Sequence, residues 1–349
     1  MNQPWLSVIM PTYNGAAHVA DALQSICRQS ICRQGICRQG GDNVELIVVD
    51  DGSTDSTLEI VAAFKRRLAI VVVERKHLGN WVANTNLGMS LAKGEYLCWL
   101  HQDDYWDPRR LTLLKQTVLR WPAAPLVFHP SEFVTNSGRR VGRWHCPFPN
   151  RAASLQPQVV LERLLIQNFV ATCAPLFKST AATAVGELDE RLWYLADWDY
   201  WLRLARLGAT TYCPVPLTSF RLHAGSQTMT RAGIVDSIRA QYAAICERNS
   251  ASLAEQRAVV RRAARLSMEV NLALGAVAGG GRPHWRPLAR SFLRAGPEGL
   301  WRYLRDSRIV ERCSSRVRAG LARHSKTRHA ADAGHDARAC GDVGLTPVR

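Results

Sequence analysis

The sequence predicts an α/β fold, a mostly parallel sheet with helices on both faces, followed by a helical basic segment at the C-terminal end. Three observations predict it. Short apolar runs end in polar turns at residues 6–10, 44–49, 69–73 and 96–100. Stretches with helical spacing separate those runs, so the chain alternates β-α-β-α-β-α-β. Beyond residue 230 the strand pattern stops, and Ala/Arg/Leu-rich stretches take over.

In order, Leu6 to Met10 reads as a buried strand that stops at Pro11, and Pro11-Thr12-Tyr13-Asn14-Gly15 is turn chemistry. His18 to Cys27 has helical spacing, with Val19, Leu23 and Ile26 on one face. Val44 to Val49 is the second strand and ends in Asp50-Asp51-Gly52-Ser53-Thr54-Asp55; Ser53 or Asp55 is placed to cap the helix carrying Leu58, Ile60, Val61 and Phe64. Ala69 to Val73 gives a third strand, Trp81 to Ala92 a helix, and Tyr96 to Leu100 a fourth strand. The pattern is Rossmann-like, and in such sheets ligands bind beyond the carboxyl ends of the strands. Pro11–Asn14, Asp50–Asp55 and His101–Asp104 should therefore converge on one rim.

The tandem pentapeptide Ile26-Cys27-Arg28-Gln29-Ser30, 31–35, 36–40 cannot form one apolar stripe, since a five-residue period rotates the isoleucines around a helix. Residues 26–40 read as a duplication-type insertion on the edge away from the ligand rim. Its three cysteines match no common zinc spacing. The ten cysteines show no C-x-x-C pair, so reduced thiols are expected. No signal-peptide core and no membrane-length apolar run is present, so a cytoplasmic location is expected. The formal net charge of +16 is concentrated late: residues 231–349 carry 22 Lys/Arg against 10 Asp/Glu. An anionic surface is the expected partner of that region.

Adjacent Asp103 and Asp104 at a strand end suit a Mg2+- or Mn2+-type ion, which takes one or two protein carboxylates and the oxygens of a diphosphate. The bland alternative has them capping the helix that starts near Pro108. The run Leu6-Ser7-Val8-Ile9-Met10-Pro11-Thr12-Tyr13-Asn14, followed by Glu45-Leu46-Ile47-Val48-Val49-Asp50-Asp51-Gly52-Ser53-Thr54-Asp55, resembles the opening of family 2 glycosyltransferases, inverting enzymes with the GT-A fold. Four further stretches resemble that family in its order: 94–106 with Asp103-Asp104, Val185-Gly186-Glu187-Leu188-Asp189-Glu190, Asp197-Trp198-Asp199-Tyr200-Trp201, and Phe220-Arg221-Leu222-His223.

The resemblance covers roughly residues 5 to 226 and implies a set of roles. Pro11, Thr12, Tyr13, Asn14, Asp50, Asn86 and Arg221 bind the donor nucleotide sugar, and Asp51 reads the base, with a uridine carrier favoured. Asp103 lies at the ribose and metal, Asp104 is the principal metal ligand, and His223 is near the metal. Asp197 is the general base, while Asp199 reads as the partner of an arginine. Trp193 and Trp198 are either acceptor-stacking or core. Two positions depart from the family pattern: His101 stands at the first acidic position of the D-x-D stretch, and Thr85 replaces an arginine before Asn86.

Residues 1–230 thus read as the catalytic domain, 231–325 as a helical basic accessory segment, and 326–349 as a disordered tail. Trp285, Phe292, Leu293, Trp301 and Leu304 alternate with Arg286, Arg290, Arg294, Arg302 and Arg305. This pattern fits a helix lying on an anionic membrane, the inner face of the cytoplasmic membrane being the expected place, or a helical subdomain packed on the core. No nucleic-acid-binding module is present. The expected acceptor is a glycan or lipid-linked sugar of cell-surface polysaccharide synthesis. The rival readings are a nucleotidyltransferase, which would carry a Gly-rich loop after the first strand, and a non-catalytic binding module of the same fold.

Overall fold

The computed structural model describes residues 3–29, 44–223, 235–250, 257–278, 281–314 and 318. The second and third copies of the pentapeptide and residues 326–349 lie outside these. The first half runs β1 (Leu6–Thr12), α1 (Val19–Cys27), β2 (Val44–Asp50), α2 (Thr57–Phe64), β3 (Ala69–Glu74), α3 (Trp81–Leu91), β4 (Tyr96–Trp99), β5 (Tyr105–Trp106) and α4 (Arg110–Arg120). There follow β6 (Leu126–Phe128), β7 (Ser131–Thr135), β8 (Arg140–Trp144), β9 (Ala153–Leu155), α5 (Pro157–Ile166), β10 (Leu176–Lys178), α6 (Ser179–Val185) and α7 (Ala196–Arg206). The chain then adds β11 (Thr210–Tyr212), β12 (Thr218–Leu222), α8 (Val235–Ser250), α9 (Arg257–Ala278) and α10 (Trp285–Ser307).

The main sheet has the order β3-β2-β1-β4-β10-β6-β11-β9. Its first four strands are parallel, as the alternation predicts. The parallel run then breaks: β10 is antiparallel to both β4 and β6, and β9 is antiparallel to β11. A second sheet, β5-β12-β7-β8, stands beside it.

β1 does not stop at Pro11. It continues to Thr12, with Pro11 opposite Val49. Ile9 O accepts from Leu100 N on the β4 side, and Thr12 O accepts from Asp51 N on the β2 side. By the two-residue alternation, Pro11 turns toward β4, which has already ended at Trp99. Its missing N–H therefore breaks no ladder bond, the condition under which a strand tolerates proline.

The core is continuous across both faces of the sheet and includes a pile of large rings, Trp99 against Tyr200 and Trp201 and Phe177 against the same two. One close backbone approach is set by Gly94. A Cβ there would lie 2.5 Å from Ser7 N and 2.7 Å from Tyr96 O, while Gly94 N donates to Ser7 Oγ at 2.7 Å. Backbone atoms on two strands cannot yield as a flexible side chain can. Gly94→Ala should lower stability by about 1–3 kcal/mol through overpacking. A melting temperature within a degree of wild type would show that the contact is slack.

The last three helices pack on the catalytic region. α9 contacts α5, α8 and α10. Buried Gln167, just after α5, accepts at Oε1 from Ser267 Oγ and Asn271 Nδ2, both at 3.0 Å. Arg302 of α10 pairs with Glu162 of α5 at 2.9 Å. α10 is kinked at Gly296, whose φ of 65° precedes Pro297.

Candidate active site

The three strand-end loops converge as the sheet rule requires. Asn14 N donates to Ser53 Oγ at 2.9 Å, and Thr54 N donates back to Asn14 Oδ1 at 2.8 Å. Tyr13 N donates to Gln102 Oε1 at 2.9 Å while Gln102 Nε2 donates to Tyr13 O at 3.0 Å. Gln102 is the residue that sequence reasoning misses. It sits between two motif positions, yet both ends of its amide fasten the first loop to the acidic turn. At the start of α2 it is Asp55, the second of the two caps considered, that accepts from Thr57 N, and it also holds Ala16 N.

Two of the expected donor contacts are committed within the fold. Asp50 is fully buried and accepts from Thr12 Oγ1 (2.9 Å), Ser53 N (2.8 Å) and Ser53 Oγ (2.6 Å), bonds that shape the loop. Asn86 spends its amide on Leu188, donating to the carbonyl at 3.0 Å and accepting from the N–H at 2.9 Å. It clamps α3 to the 185–190 stretch. Asp51 accepts from Leu78 N (3.0 Å) and Gly79 N (2.8 Å), and so draws the 77–79 segment across the rim. His77 from that segment stacks on Tyr13 with ring centroids 4.1 Å apart. Tyr13 keeps 42% of its surface exposed, leaving a flat ring open on the rim.

Within the acidic turn the expected order of the two aspartates is reversed. Asp103 is the partly open one, with its side chain 24% exposed and its Oδ2 2.8 Å from Nε2 of His223. Asp104 is buried: Oδ1 accepts from Arg221 N at 3.0 Å, and Oδ2 has no hydrogen-bond partner. The reason is local. Consecutive residues of a tight turn point apart, and β12 lies on the Asp104 side. Burial and the adjacent Asp103 charge push the Asp104 carboxyl well above its ordinary pKa. At Asp103 burial also acts upward, but the His223 hydrogen bond and the His101 ring outweigh it and hold the carboxyl below the usual range. Neither carboxylate caps the helix after Pro108; in the turn before it, Asp107 accepts from Arg109 N at 2.9 Å.

Arg221, expected at the donor, is a buried bracket behind this turn. Nε donates to Asp103 O at 2.8 Å, Nη1 to Asn136 O at 2.6 Å and Nη2 to Asp21 Oδ2 at 2.8 Å.

Asp197 lies in the first turn of α7, where a helix N-terminus favours negative charge. Thr172 Oγ1 donates to its Oδ2 at 2.9 Å, and its own Oδ1 takes Trp198 N at 2.7 Å. Burial dominates these bonds and raises its pKa to about 6. Cys173, the next residue after Thr172, lies beside Asp104, so a single dipeptide touches both acidic centres. Trp81 links them from the other side: its indole donates to Trp193 O at 2.7 Å, and its ring meets His101 edge-on at 5.4 Å. Thr85, at the departed position, donates to Trp81 O at 2.8 Å. Asp199 pairs with Arg203 at 2.8 Å, as an arginine partner should.

The two acceptor tryptophans separate. Trp198 is fully buried, donates to Leu164 O at 2.7 Å and packs on Tyr242, so it is core and stacks on no ligand. Trp193 is half-buried just before α7.

A mixed sheet of this order, with loops converging on a paired-aspartate turn and a buried carboxylate across from it, is the architecture of a GT-A glycosyltransferase. Residues 7–178 match the family described as Glycosyl transferase family 2. An uncharacterized glycosyltransferase of Rickettsia prowazekii is 25% identical over 228 residues, covering 65% of this chain and 67% of that one. An uncharacterized protein of Mycobacterium tuberculosis is 28% identical over 249 residues, covering 68% and 74%. Among solved structures, S. aureus TarS in complex with UDP-GlcNAc superposes with a TM-score of 0.60 at 17% identity over 92% of each chain. The Pyrobaculum calidifontis mannosyltransferase in complex with GDP-Man and Mn2+ superposes with a TM-score of 0.53 at 18% identity, covering 91% of this chain and 88% of that one. At these identities the structural likeness speaks for the fold.

Proposed function

We propose that the chain moves a sugar from a nucleoside diphosphate sugar, a UDP-sugar by preference, to a hydroxyl of a glycan or lipid-linked acceptor, with inversion at the anomeric carbon. The observation that carries this reading is Asp197, a buried carboxylate whose pKa of about 6 suits proton abstraction near neutral pH. Its free lone pairs take the proton of the acceptor hydroxyl. The acceptor oxygen then bonds to the anomeric carbon from the face opposite the diphosphate, and the sugar–diphosphate bond breaks to release the nucleotide. The exposed Tyr13 ring on His77 offers the base a stacking surface, and Trp193 offers one to the acceptor.

The acidic turn fits a divalent cation, Mn2+ or Mg2+. Asp103 and His223 would hold it, with Asp104 behind them. Among the described residues no group of three or more His, Cys, Asp or Glu side chains is placed to hold a metal ion. That suits an ion completed by phosphate oxygens and water. Asp104 Oδ2 is buried with only the Cys173 thiol beside it, a setting that a nearby positive ion would stabilise. When bound, such an ion neutralises charge on the leaving diphosphate.

The experiment is a panel of nucleotide sugars followed by nucleoside diphosphate release, with and without manganese. Release should be highest with a UDP-sugar and manganese and should fall to background in chelator. Undiminished release in chelator would remove the cation from this reading.

We further place the protein on the inner face of the cytoplasmic membrane, in cell-surface polysaccharide synthesis. α10 buries Ser291, Ala295, Gly299 and Tyr303 against the protein while Trp285, Phe292, Leu293, Trp301 and Leu304 stay exposed. Arg286, Arg290 and Arg294, four residues apart, form a row beside the first part of that apolar face. No described helix is long and apolar enough to cross a membrane, so the contact would be interfacial. Co-sedimentation with vesicles containing anionic lipid should exceed that with neutral vesicles, and Leu293→Glu with Trp301→Glu should abolish the difference. Equal sedimentation with both lipids would sink the membrane assignment.

A further inference from the structure

A cavity of about 450 Å³ lies apart from the acidic turn and plays no part in the chemistry above. It is bounded by Pro130 after β6, Tyr212 and Pro214 at the end of β11, the 145–150 segment, and the C-terminal end of α10. β6 runs in the same direction as β4, because β10 is antiparallel to both, and β11 is parallel to β6. The cavity therefore opens on the same carboxyl-end rim as Asp103 and Asp104. It is displaced along the sheet by two to three strands, roughly 10–14 Å at the usual strand spacing.

Its lining is one-sidedly basic. Arg143, His145, Arg163, Arg305 and Arg308 line it, and among the described residues no carboxylate does. The compensating acids stand behind the arginines. Glu132 is shared by Arg140 and Arg143, and fully buried Asp306 by Arg163 (3.8 Å) and Arg305 (2.6 Å); Glu311 is held by Arg308 at 2.8 Å. Five arginines thus answer to three carboxylates, and the excess charge faces the cavity. Arg308 Nε is buried with no hydrogen-bond partner. Arg308 also ends α10 with φ 49° and ψ 41°, a conformation that glycine usually takes at a helix end. Burial, with the Arg308 and Arg143 charges, holds the His145 ring below its ordinary pKa, another sign of a positive field. Phe148, with Arg163 stacked 4.7 Å from its ring centroid, supplies an apolar wall. Guanidinium groups lining a partly apolar cavity offer donors and charge of the kind that phosphate oxygens take.

We propose that this cavity is an oxyanion subsite that holds a phosphate or diphosphate group of the acceptor beside the transfer site. The acceptor part of this inference rests on the transferase reading above; the anion site itself does not. The test is calorimetric titration of the whole chain with inorganic pyrophosphate and with a short-chain prenyl diphosphate. Chelator is kept in excess to suppress cation-mediated binding at Asp103 and His223. The comparison protein carries Arg143→Gln and Arg308→Gly together. Glycine accepts the backbone conformation at 308, and Arg140 remains to pair Glu132, so the variant should melt at the wild-type temperature.

Wild type should bind both probes, and the double variant should bind at least tenfold more weakly. Tighter binding of the prenyl ester than of pyrophosphate would assign the group to a lipid-linked acceptor. Equal affinities would assign it to a free or glycan-borne phosphate, and either result supports the site. Unchanged affinity in the double variant, or no binding to wild type at millimolar pyrophosphate, would overturn it. Failure of the transferase reading would appear separately, as absent nucleotide release in the donor panel.

Discussion

Asp197→Asn should reduce kcat for glycosyl transfer by about 10²–10⁴-fold, the range that general base catalysis contributes, with donor affinity kept. The amide can preserve the two shorter local bonds, its oxygen accepting from Trp198 N while its nitrogen donates to Thr172 Oγ1; only the 3.4 Å bond from Asn168 Nδ2 is lost. The same substitution should not destabilise the protein at neutral pH. The folded-state pKa of Asp197 is raised to about 6 from 3.8. Between those two values the native state binds more protons than the unfolded state, so this residue lowers stability as pH rises through that window. Above pH 6 its full cost is present, on the order of 2–3 kcal/mol. Asp197→Asn removes the cost and should unfold at the same or a higher temperature at pH 7.5. In wild type, transfer should fall away below about pH 6 as the base protonates. Transfer near the wild-type rate in the variant, with the acidic fall retained, would place the base elsewhere.

Arg221→Met should be the most damaging single change near the site. Arg221 is 2% exposed and holds the carbonyls of Asp103 and Asn136 and the carboxylate of Asp21. Methionine fills much of the volume but takes the donor from the Asp103 and Asn136 carbonyls, and the acidic turn loses its bracket. The expected loss is about 1–3 kcal/mol, the cost of leaving a buried acceptor unpaired, since the 60%-exposed Asp21 carboxylate regains water. Urea unfolding measures it. A loss under about 1 kcal/mol would mean that water takes over those contacts. Donor turnover should fall as well, because Asp103 and Asp104 are aimed by this residue.

The parts of the fold and site visible in the sequence are those encoded locally. The first four strands announce themselves as apolar runs ending in Pro11-Thr12-Tyr13-Asn14 and Asp50-Asp51-Gly52-Ser53, and turn chemistry places those ends on one rim. The reversal at β10 carries no such mark, since three residues, Leu176 to Lys178, are too few for any periodicity. The side chains were harder to read than the loops. Whether Asp103 or Asp104 faces outward depends on β12, whose Arg221 is 117 residues away from Asp104. Trp198 and Trp193 look alike in sequence, but Tyr242 and Leu164 close over Trp198 alone. Asn86 and Asp50 sit in the right motifs and work for the backbone. Gln102 is a variable position between motif residues, and it joins two of the loops. Each of these outcomes is decided by a tertiary partner.

The central claim is a single displacement driven by one base, and the anomeric configuration of the product tests it most directly. Proton NMR of the sugar transferred by the wild-type protein from an α-linked nucleotide sugar should show a β-linked product. An α-linked product would contradict the account, because retention requires a second displacement or a front-face departure for which Asp197 has no role.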